Sequence, residues 1–400
     1  MNNLTNARNT IAYYYQNNYK SLVEQNIRQF PKNNFYKVIK DQTEANPLED
    51  NFIFSNKEKY EMIGKYDIRY DKKNNLVYSN DNNEFYKKMK NKQINNFQTS
   101  YSGFPNIGNS CYMNSFLQIL LHTPNFISII DQYNANNDDQ GLLMNLYNLT
   151  IYPYNSIYLH NIKKIMGSVN KDYLYYEPGD SQRFAIDFID KLISESKNEN
   201  SFLDYSVMDE NFKNRIEKYD NFIEKFNNKS DNIEKLFQFV EVSRGNFKIL
   251  DNFSINLNIE LNFPTNYKNN INIYDLLNMK YNEDLKIADL PEILIISLNR
   301  GITGKKLIKT NVSFPLELNI DKYIDKSLIN NLQSKNYTLY AINERYGQSK
   351  NQGHYTCYIK IKLNPNKECW RYFSDLYVID SEPKLYSTNV YGLYYYRKHK

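Results

Sequence analysis

Cysteine and histidine are the residues of this chain best suited to nucleophilic chemistry, and there are three of the first and four of the second. A cysteine thiolate attacks carbonyl carbons once a base has removed the thiol proton, and histidine is the usual base near neutral pH. Cys111, Cys357 and Cys369 form no Cys-x-x-Cys pair, so no zinc ribbon and no other metal site is expected. Their odd, sparse set also argues against a disulfide framework and is typical of a reducing interior.

Cys111 lies where a helix is expected to begin. Apolar residues recur at helical spacing directly after it, at Met113, Phe116, Leu117, Leu120 and Leu121. Asn109 and Ser110 are residue types that cap helix starts, and Gly108 supplies a flexible position before them. Unpaired N–H groups and the positive dipole end favour a thiolate there, where a thiol pKa of ~8.5 can fall to roughly 3.5–7.5. The alternative is a buried structural cysteine, and only a base elsewhere favours the nucleophile.

His354 is the best candidate for that base. It follows Gly353 and opens a predicted strand, in which Cys357 faces away from the imidazole as a small core residue. A second strand is predicted from Cys369 to Phe373, and an antiparallel hairpin centred near residue 364 places Ser374 or its neighbour Asp375 across from His354. Either residue supplies a group that orients the imidazole, and the register leaves both open.

The other histidines fit structural roles better. His399 is next to the chain end, and His160 lies in a Tyr-rich stretch without partner residue types nearby. His122 is expected at the end of the Cys111 helix, where a cation offsets the negative end of the dipole.

Helices come first along the chain and strands later, which indicates an α+β architecture. Helices are predicted at residues 111–122 and 181–195, and the charged stretch 206–237 is also predicted to be helical. One strand is predicted from Phe253 to Leu261, because its apolar residues alternate strictly and share one face. The apolar run from Ile293 to Leu298 is typical of a strand buried on both faces.

Residues 1–99 form an extension rich in Asn, Lys and Tyr, with no chemistry that the residues reveal. A helix is predicted near residues 11–27, and a hairpin between Tyr66–Tyr70 and Asn75–Tyr78. A packed accessory element and a partly disordered arm both fit this composition.

Charge and hydropathy argue against two classes of partner. The 50 Lys and Arg residues are interspersed with 45 Asp and Glu residues, and no block of like charge is suited to nucleic-acid phosphates. No apolar run reaches the ~18 residues that a membrane span requires. We therefore expect an intracellular protein that binds neither nucleic acid nor membrane.

Several stretches together resemble one family. Gly103–Gln118 is similar to the cysteine box of the ubiquitin-specific proteases, and residues 353–358 with 370–375 resemble their histidine box. Asp180–Phe184 resembles the family's Asp-Ala-Gln-Glu-Phe helix, and Leu290–Arg300 its strand before a Lys-rich turn. Residues 309–320, 337–342 and 391–395 follow in the family's order, so the resemblance covers about residues 100–396.

The resemblance implies a papain-like cysteine peptidase fold. Its thumb would comprise about residues 100–200, and its palm and fingers about residues 201–400. The family's zinc-binding cysteines are absent, so residues 238–262 would form short fingers without zinc. No cofactor is implied.

The resemblance also assigns roles to residues. Cys111 would be the nucleophile, His354 the general base and then the general acid, and Asn106 the residue that stabilises the oxyanion. Asp180 matches a carboxylate that receives the basic C-terminal tail of ubiquitin, although an ordinary surface carboxylate is the alternative. The remaining substrate-binding candidates are Gln182, Gly353 and Tyr355.

The chain departs from the family beside the histidine. The family usually has Asp or Asn where this chain has Ser374, with Asp375 following it. Asp375 would take over the orienting role, or Ser374 would perform it more weakly. Arg345 stands where the family usually has His, in a predicted loop before Gly353.

The implied reaction is cleavage of the peptide or isopeptide bond after the C-terminal Gly-Gly of ubiquitin, through a thioester on Cys111. Its partners would be ubiquitin and ubiquitinated proteins, in the cytoplasm, or in the host cytoplasm for a viral or parasitic source. One alternative is a weak or inactive ubiquitin-binding module, and another is a protease for a different ubiquitin-like modifier. A nucleic-acid-binding protein with Lys-rich and Tyr-rich patches is a further alternative, and it predicts salt-sensitive binding.

Overall fold

The computed structural model divides the chain into two compact units. The first comprises residues 1–102 and 106–108, and the second comprises residues 103–105 and 109–400. The described residues are 68–70, 76–78, 102–134, 141–151, 153, 156–174, 178–196, 215–229, 232–244, 251–264, 270–303, 306–329, 333–347, 353–364 and 367–399.

The first unit contains the hairpin that the sequence predicts. Strand β1 (Ile68–Tyr70) pairs antiparallel with β2 (Leu76–Tyr78), with Arg69 opposite Val77. The helix predicted near residues 11–27 lies outside the described residues.

The second unit begins with helices. They are α1 (Cys111–Leu121), α2 (Phe126–Asn134), α3 (Leu142–Ile151), α4 (Ser156–Val169), α5 (Ser181–Ser196), α6 (Arg215–Lys229) and α7 (Asn232–Phe237). Helix α8 (Ile273–Lys280) lies among the strands, and short 3-10 turns occur at Lys171–Leu174 and Asp321–Tyr323. The helices predicted at 111–122 and 181–195 are confirmed, and the predicted stretch 206–237 contains α6 and α7, while residues 206–214 lie outside the described residues.

Aromatic side chains hold α1 against α5. The Tyr112 ring meets the Phe184 ring edge-on at 5.3 Å, and the Phe116 ring meets the Phe188 ring edge-on at 5.6 Å. All four residues are buried. Edge-to-face pairs of this kind add roughly 0.5–1.5 kcal/mol to the area that they bury. This packing therefore fixes the position of α1, the helix that begins at Cys111, relative to α5.

Strands form the later part of the unit. They are β3 (Phe239–Arg244), β4 (Asp251–Asn256), β5 (Ile259–Asn262), β6 (Asn270–Asn272), β7 (Leu285–Asp289), β8 (Ile293–Asn299), β9 (Ile302–Thr303), β10 (Lys306–Leu307), β11 (Asn311–Ser313), β12 (Glu317–Asn319), β13 (Asn336–Tyr346), β14 (His354–Asn364), β15 (Lys367–Ser374), β16 (Tyr377–Asp380), β17 (Tyr386–Ser387) and β18 (Val390–Arg397).

One large sheet carries most of these strands. Its order is β16-β15-β14-β13-β18-β8-β5, and β12 also pairs with β13. Strand β8 is buried from Ile293 to Leu298, as its continuous apolar run predicts. Among the described residues, smaller sheets join β4-β3-β7, β17-β11-β6 and β10-β9. Helices before a mixed sheet confirm the predicted α+β class.

The single strand predicted from Phe253 to Leu261 is wrong. Strand β4 ends at Asn256 in the small β4-β3-β7 sheet, and β5 begins at Ile259 and pairs parallel with β8 in the large sheet. Ile259 and Leu261 are completely buried, whereas Phe253 and Ile255 are only partly buried. Alternation shows which residues share a face, but it does not show where a chain leaves one sheet for another.

Hydrogen bonds between side chains join α1 to the large sheet. Asn343 Nδ2 on β13 donates to Ser115 Oγ on α1 at 3.0 Å. Thr123, just beyond α1, shares a hydrogen bond of 2.8 Å with the Tyr340 hydroxyl of β13. These buried contacts set the position of the helix that carries Cys111 on the sheet that carries His354.

Candidate active site

Cys111 is the first residue of α1 and is only 8% exposed. The chain approaches it through two left-handed positions, Gly108 with φ 102° and Asn109 with φ 46°. Glycine and asparagine are the residues that best tolerate this conformation. Ser110 occupies the N-cap position as its type suggests, but its side chain makes no capping hydrogen bond.

The Cys111 thiol contacts the strand that His354 begins. The backbone N–H of Tyr355, the residue after His354, donates a hydrogen bond to the thiol sulfur, and the N–H of Tyr112 does the same. Because β14 begins at His354, this contact places the sulfur at the start of that strand.

The thiol is not activated by its surroundings in the way that the helix start predicts. Burial, with a smaller contribution from the charge of Asp375, raises the pKa of Cys111 to about 12. The hydrogen bonds from Tyr355 and Tyr112 and the charge of Arg345 lower it, but by less. The expectation of a lowered pKa is therefore wrong for this arrangement, because loss of water around the sulfur outweighs the N–H groups of the helix. The thiol is neutral until a base takes its proton.

The His354 imidazole contacts Ser374. Its Nε2 lies 2.7 Å from Ser374 Oγ, and His354 pairs with Tyr346 across β13 and β14. The β14–β15 hairpin is centred one residue later than predicted, with Cys357 opposite Phe373 and Asn364 opposite Lys367. Ser374 still reaches the imidazole, because it lies at the end of β15 on the His354 face.

Asp375 contacts a different residue. It has φ 51° in the turn that joins β15 to β16, and its Oδ1 accepts a hydrogen bond of 2.7 Å from Asn114 Nδ2. The left-handed turn directs its carboxylate toward α1. Of the two alternatives that the sequence leaves open, Ser374 is the one that contacts the imidazole in this structure.

Asn114 is a residue of this site that the sequence does not reveal. Besides Asp375, its Nδ2 donates to the carbonyl oxygen of Pro105 at 3.1 Å, and the Phe104 carbonyl oxygen lies at 3.5 Å. The Phe104 N–H donates in turn to the Asp375 carbonyl oxygen at 3.0 Å. Asn114 thus links the cysteine helix to the turn that follows Ser374. A buried Asn inside an apolar helix was the available signal, because such a group requires partners.

Asn106 belongs to the first compact unit. Its Oδ1 accepts a hydrogen bond of 3.0 Å from the backbone N–H of Gly108. This contact turns the side-chain oxygen toward its own loop, and the amide nitrogen is the donor that an oxyanion needs. Its role in the reaction stays a prediction.

Asp180 is the N-cap of α5. Its Oδ1 accepts hydrogen bonds from the N–H groups of Gln182 at 2.9 Å and Arg183 at 3.0 Å, and its Oδ2 accepts one from the Tyr391 hydroxyl at 2.6 Å. The Gln182 side chain donates to the backbone oxygen of Tyr391, and the Tyr391 ring lies 5.6 Å from the Tyr355 ring. Asp180, Gln182 and Tyr355 therefore meet around Tyr391.

Arg345 lies on strand β13 opposite Tyr355, and not in a loop as predicted. Its guanidinium is buried and lies 5.5 Å from the centre of the Tyr355 ring. A Cβ atom at position 353 would lie 2.7 Å from the Tyr346 carbonyl oxygen and 2.9 Å from a nitrogen of the Arg345 guanidinium. Glycine is thus required at this position by its neighbours, independently of substrate.

The remaining histidines are structural, with one correction. Burial lowers the pKa of His122 to about 4, so this residue is neutral at the end of α1 and is not the predicted cation. His122 Nδ1 instead shares a hydrogen bond of 2.7 Å with the Gln118 carbonyl oxygen. His160 makes the same contact with Ser156, and His399 lies 2.7 Å from a Glu292 carboxylate oxygen.

Among the described residues, no group of three or more His, Cys, Asp or Glu residues is arranged to hold a metal ion. All three cysteines are free, and Cys357 is completely buried. In the same part of the chain, no helix combines the length and hydropathy that crossing a bilayer requires.

A family model described as ubiquitin carboxyl-terminal hydrolase matches residues 102–395 of the chain. Ubiquitin carboxyl-terminal hydrolase 10 of Arabidopsis thaliana is 36% identical over 121 residues, which is 29% of this chain and 12% of that protein. Ubiquitin carboxyl-terminal hydrolase 20 of the same plant is 24% identical over 322 residues, or 74% of this chain and 43% of that protein. The matched region thus spans less than half of the length of each of these relatives.

Solved structures with the same fold include a chain of the SAGA DUB module Ubp8/Sgf11/Sus1/Sgf73 bound to monoubiquitin. The match has a TM-score of 0.59 and 17% identity, and it covers 82% of this chain and 78% of that chain. A chain of the same module bound to ubiquitin aldehyde matches with a TM-score of 0.57 and 19% identity, over 82% of this chain and 78% of that one.

Proposed function

The chain belongs to the ubiquitin carboxyl-terminal hydrolase family, and on that basis we propose that it is a deubiquitinating thiol hydrolase. It cleaves the peptide or isopeptide bond after the C-terminal Gly-Gly of ubiquitin. The observation that supports this proposal is the position of the Cys111 sulfur beside the start of β14. The sulfur accepts a hydrogen bond from the backbone N–H of Tyr355, and the imidazole of the preceding residue, His354, contacts Ser374. The nucleophile at the start of α1 and the orienting group at the end of β15 then both lie close to the start of β14, which carries the base.

The first half of the reaction forms a thioester. His354 removes the thiol proton as the sulfur attacks the carbonyl carbon of the terminal glycine. The carbonyl oxygen becomes an oxyanion, held by Asn106 and backbone N–H groups, and one such donor is typically worth about 2.7–4 kcal/mol. When the intermediate collapses, the C–N bond breaks and His354 gives its proton to the leaving amine.

The second half regenerates the enzyme. His354 takes a proton from water, and the hydroxide attacks the thioester carbonyl carbon. The C–S bond breaks, the sulfur regains a proton, and ubiquitin leaves with a free carboxylate. Because burial raises the pKa of Cys111 to about 12, the thiol depends on His354 for every turnover.

The substrate tail is proposed to pass Tyr355 and Tyr391 on its way to Cys111. Asp180, at the far side of Tyr391, would receive a basic side chain of the tail, with Gln182 beside it. Gly353 and the buried Arg345 border the same stretch. Two glycines suit a channel too narrow for side chains.

Hydrolysis of ubiquitin carrying a fluorogenic C-terminal amide tests the function. We expect the wild type to release the fluorophore, and the Cys111→Ala and His354→Ala variants to lose at least about a thousandfold in kcat/KM. Cys369→Ala is the matched control, because this partly exposed cysteine lies on β15 away from the thiol site. Retained activity in Cys111→Ala, or full loss in the control, contradicts the assignment.

Two alternatives have different outcomes in the same experiment. The first alternative, a ubiquitin-binding module in which Ser374 weakens catalysis, predicts ubiquitin binding without turnover. A protease for another ubiquitin-like modifier predicts turnover only with substrates built on that modifier. Free cysteines in all three positions support an intracellular site of action for each alternative.

A further inference from the structure

As an orienting group for His354, the Ser374 hydroxyl has no fixed hydrogen-bonding direction of its own. A hydroxyl has one proton to donate and two lone pairs, and it rotates freely. To stabilise an imidazolium it must accept a hydrogen bond from the ring N–H. This orientation is favoured only when another group accepts a hydrogen bond from the Ser374 hydroxyl. An Asp carboxylate has no such requirement, because it is an acceptor in every orientation.

Tyr372 lies where such a group is needed. In the β13–β14–β15 register, Tyr358 pairs with Tyr372 and Cys357 pairs with Phe373, so Tyr372 and Ser374 share the face that carries His354. Tyr372 and Ser374 are two residues apart on one strand face, and the Ser374 side chain lowers the pKa of the Tyr372 phenol. Its ring packs on the Tyr358 ring at 4.9 Å, which restricts its movement.

The carboxylate of Glu344 is buried on this face. Glu344 pairs with the completely buried Thr356, and it accepts hydrogen bonds from the Tyr346 hydroxyl at 2.8 Å and from Ser387 Oγ at 2.6 Å. The negative charge of Glu344 raises the pKa of the Tyr372 phenol. A negative charge attracts the proton end of a hydroxyl, so the Tyr372 oxygen presents its lone pairs to Ser374.

We propose that Tyr372 is a positioning residue for His354, acting through Ser374. The Tyr372 oxygen accepts a hydrogen bond from the Ser374 hydroxyl, and Ser374 Oγ in turn accepts a hydrogen bond from His354 Nε2. No proton passes along this series; only His354 gains and loses the proton of the reaction. The two hydroxyls together replace the single acceptor that the family resemblance leads one to expect. The proposal rests on the proposed hydrolase function.

The test compares Tyr372→Phe in two backgrounds. With Ser374 present, we expect Tyr372→Phe to lower kcat on fluorogenic ubiquitin about tenfold and to leave KM unchanged, because Ser374 loses its fixed orientation. In the Ser374→Asp background, where the acceptor needs no partner, the same change should lower kcat less than twofold. Equal losses in both backgrounds, or no loss in either, would overturn the proposal.

Nitrogen-15 NMR of the imidazole rings separates this proposal from the proposed function. The chain has four histidines, so the His354 signals can be assigned with a His354→Gln variant. We expect neutral His354 to carry its proton on Nε2 in the wild type and to become a tautomer mixture in Tyr372→Phe. If the tautomer shifts but no variant hydrolyses ubiquitin, the function fails and the positioning role stands. An unchanged tautomer refutes the positioning role whatever the activity.

Tyr337→Phe is the matched control for both measurements. It removes another buried tyrosine hydroxyl of the same sheet, which donates a hydrogen bond to the Pro291 carbonyl oxygen. We expect it to change neither the kcat per folded molecule nor the His354 tautomer. A loss equal to that of Tyr372→Phe would mean that any buried hydroxyl of this sheet has the same effect, and the proposal would then be wrong.

Discussion

Cys111 begins its helix inside the protein, and this location determines its reactivity. A thiol surrounded by protein loses the water that would stabilise its anion, and the nearby Asp375 carboxylate repels the same charge. Two backbone N–H groups and the Arg345 charge oppose these effects only in part. In the unbound protein, the Cys111 thiol is therefore expected to stay protonated and to react slowly.

Alkylation by iodoacetamide at different pH values measures this property. Because the pKa of Cys111 is raised to about 12, the thiolate fraction keeps rising through the alkaline range. The rate at Cys111 should increase about tenfold per pH unit between roughly pH 7 and pH 10. Asp375→Asn removes one cause of the raised pKa and should give faster alkylation at each pH. A rate that levels off below pH 8 in the wild type would show that the thiol is already ionised.

At the residue scale, the sequence predicts identities better than contacts. Cys111 and His354 stand out because a helix start and a strand start surround them with recognisable patterns. The contact of Ser374 with His354, in place of Asp375, depends on one left-handed residue in a turn. Asn114 contacts Asp375, which lies far along the chain, and Tyr372 lies two residues before Ser374. In neither case does the local sequence pattern show which side chain the residue contacts.

At the level of secondary-structure elements, the Asp180 carboxylate contacts both the helix that it caps and a strand of the site. One oxygen caps α5, and the other binds the Tyr391 hydroxyl of β18. Capping residues are typically worth about 1 kcal/mol. The sequence places Asp180 before a helix and therefore predicts the element, but not the partner on a strand at the end of the chain.

Substitution of Asp180 by Asn and by Ala separates these roles. Asparagine still caps, so Asp180→Asn should lose only a few tenths of a kcal/mol in unfolding free energy, whereas Asp180→Ala should lose about 1 kcal/mol. Both should raise KM for ubiquitin at least about tenfold, which corresponds to one charge-assisted hydrogen bond of ~1.5–3 kcal/mol. Urea unfolding and steady-state kinetics provide the two values. An unchanged KM in Asp180→Asn would indicate that the carboxylate only caps the helix.

Elements with a strong pattern are predictable, and changes of sheet are not. Helices α1 and α5 and strand β8 follow from periodicity alone. The break between β4 and β5 does not, because the alternation continues through residues that join two different sheets. The choice of sheet is made by tertiary packing, in this case by the fully buried Ile259 and Leu261 against β8.

The buried Arg300 side chain, just after β8, links β18 to the segment between β10 and β11. Its guanidinium donates to the carbonyl oxygens of Val390 at 2.6 Å, Ile308 at 3.0 Å and Thr310 at 2.9 Å. It also lies 5.1 Å from the centre of the Phe263 ring. Burial lowers the pKa of Arg300 to about 10, which still leaves it charged at neutral pH. The chain between β8 and β18 is thus organised around this side chain.

Arg300→Met should destabilise the whole unit strongly. The carbonyl oxygens would lose their donors in a buried site, and breaking such a buried charged network typically costs about 3–5 kcal/mol. Arg183→Met is the control, since the Arg183 side chain is 71% exposed in its ion pair with Asp187 and should cost less than about 1 kcal/mol. Urea unfolding near neutral pH compares them, and equal losses would contradict the importance of the buried position.

Reaction with a ubiquitin probe that carries a thiol-reactive group at its C-terminus, followed by peptide mapping, shows which cysteine is the nucleophile and whether His354 activates it. We expect one adduct, on Cys111, which forms much more slowly in His354→Ala and not at all in Cys111→Ala. Cys357 and Cys369 should stay unmodified. An adduct on either of these cysteines, or labelling at full rate without the His354 imidazole, would contradict the pairing of this thiol with this base.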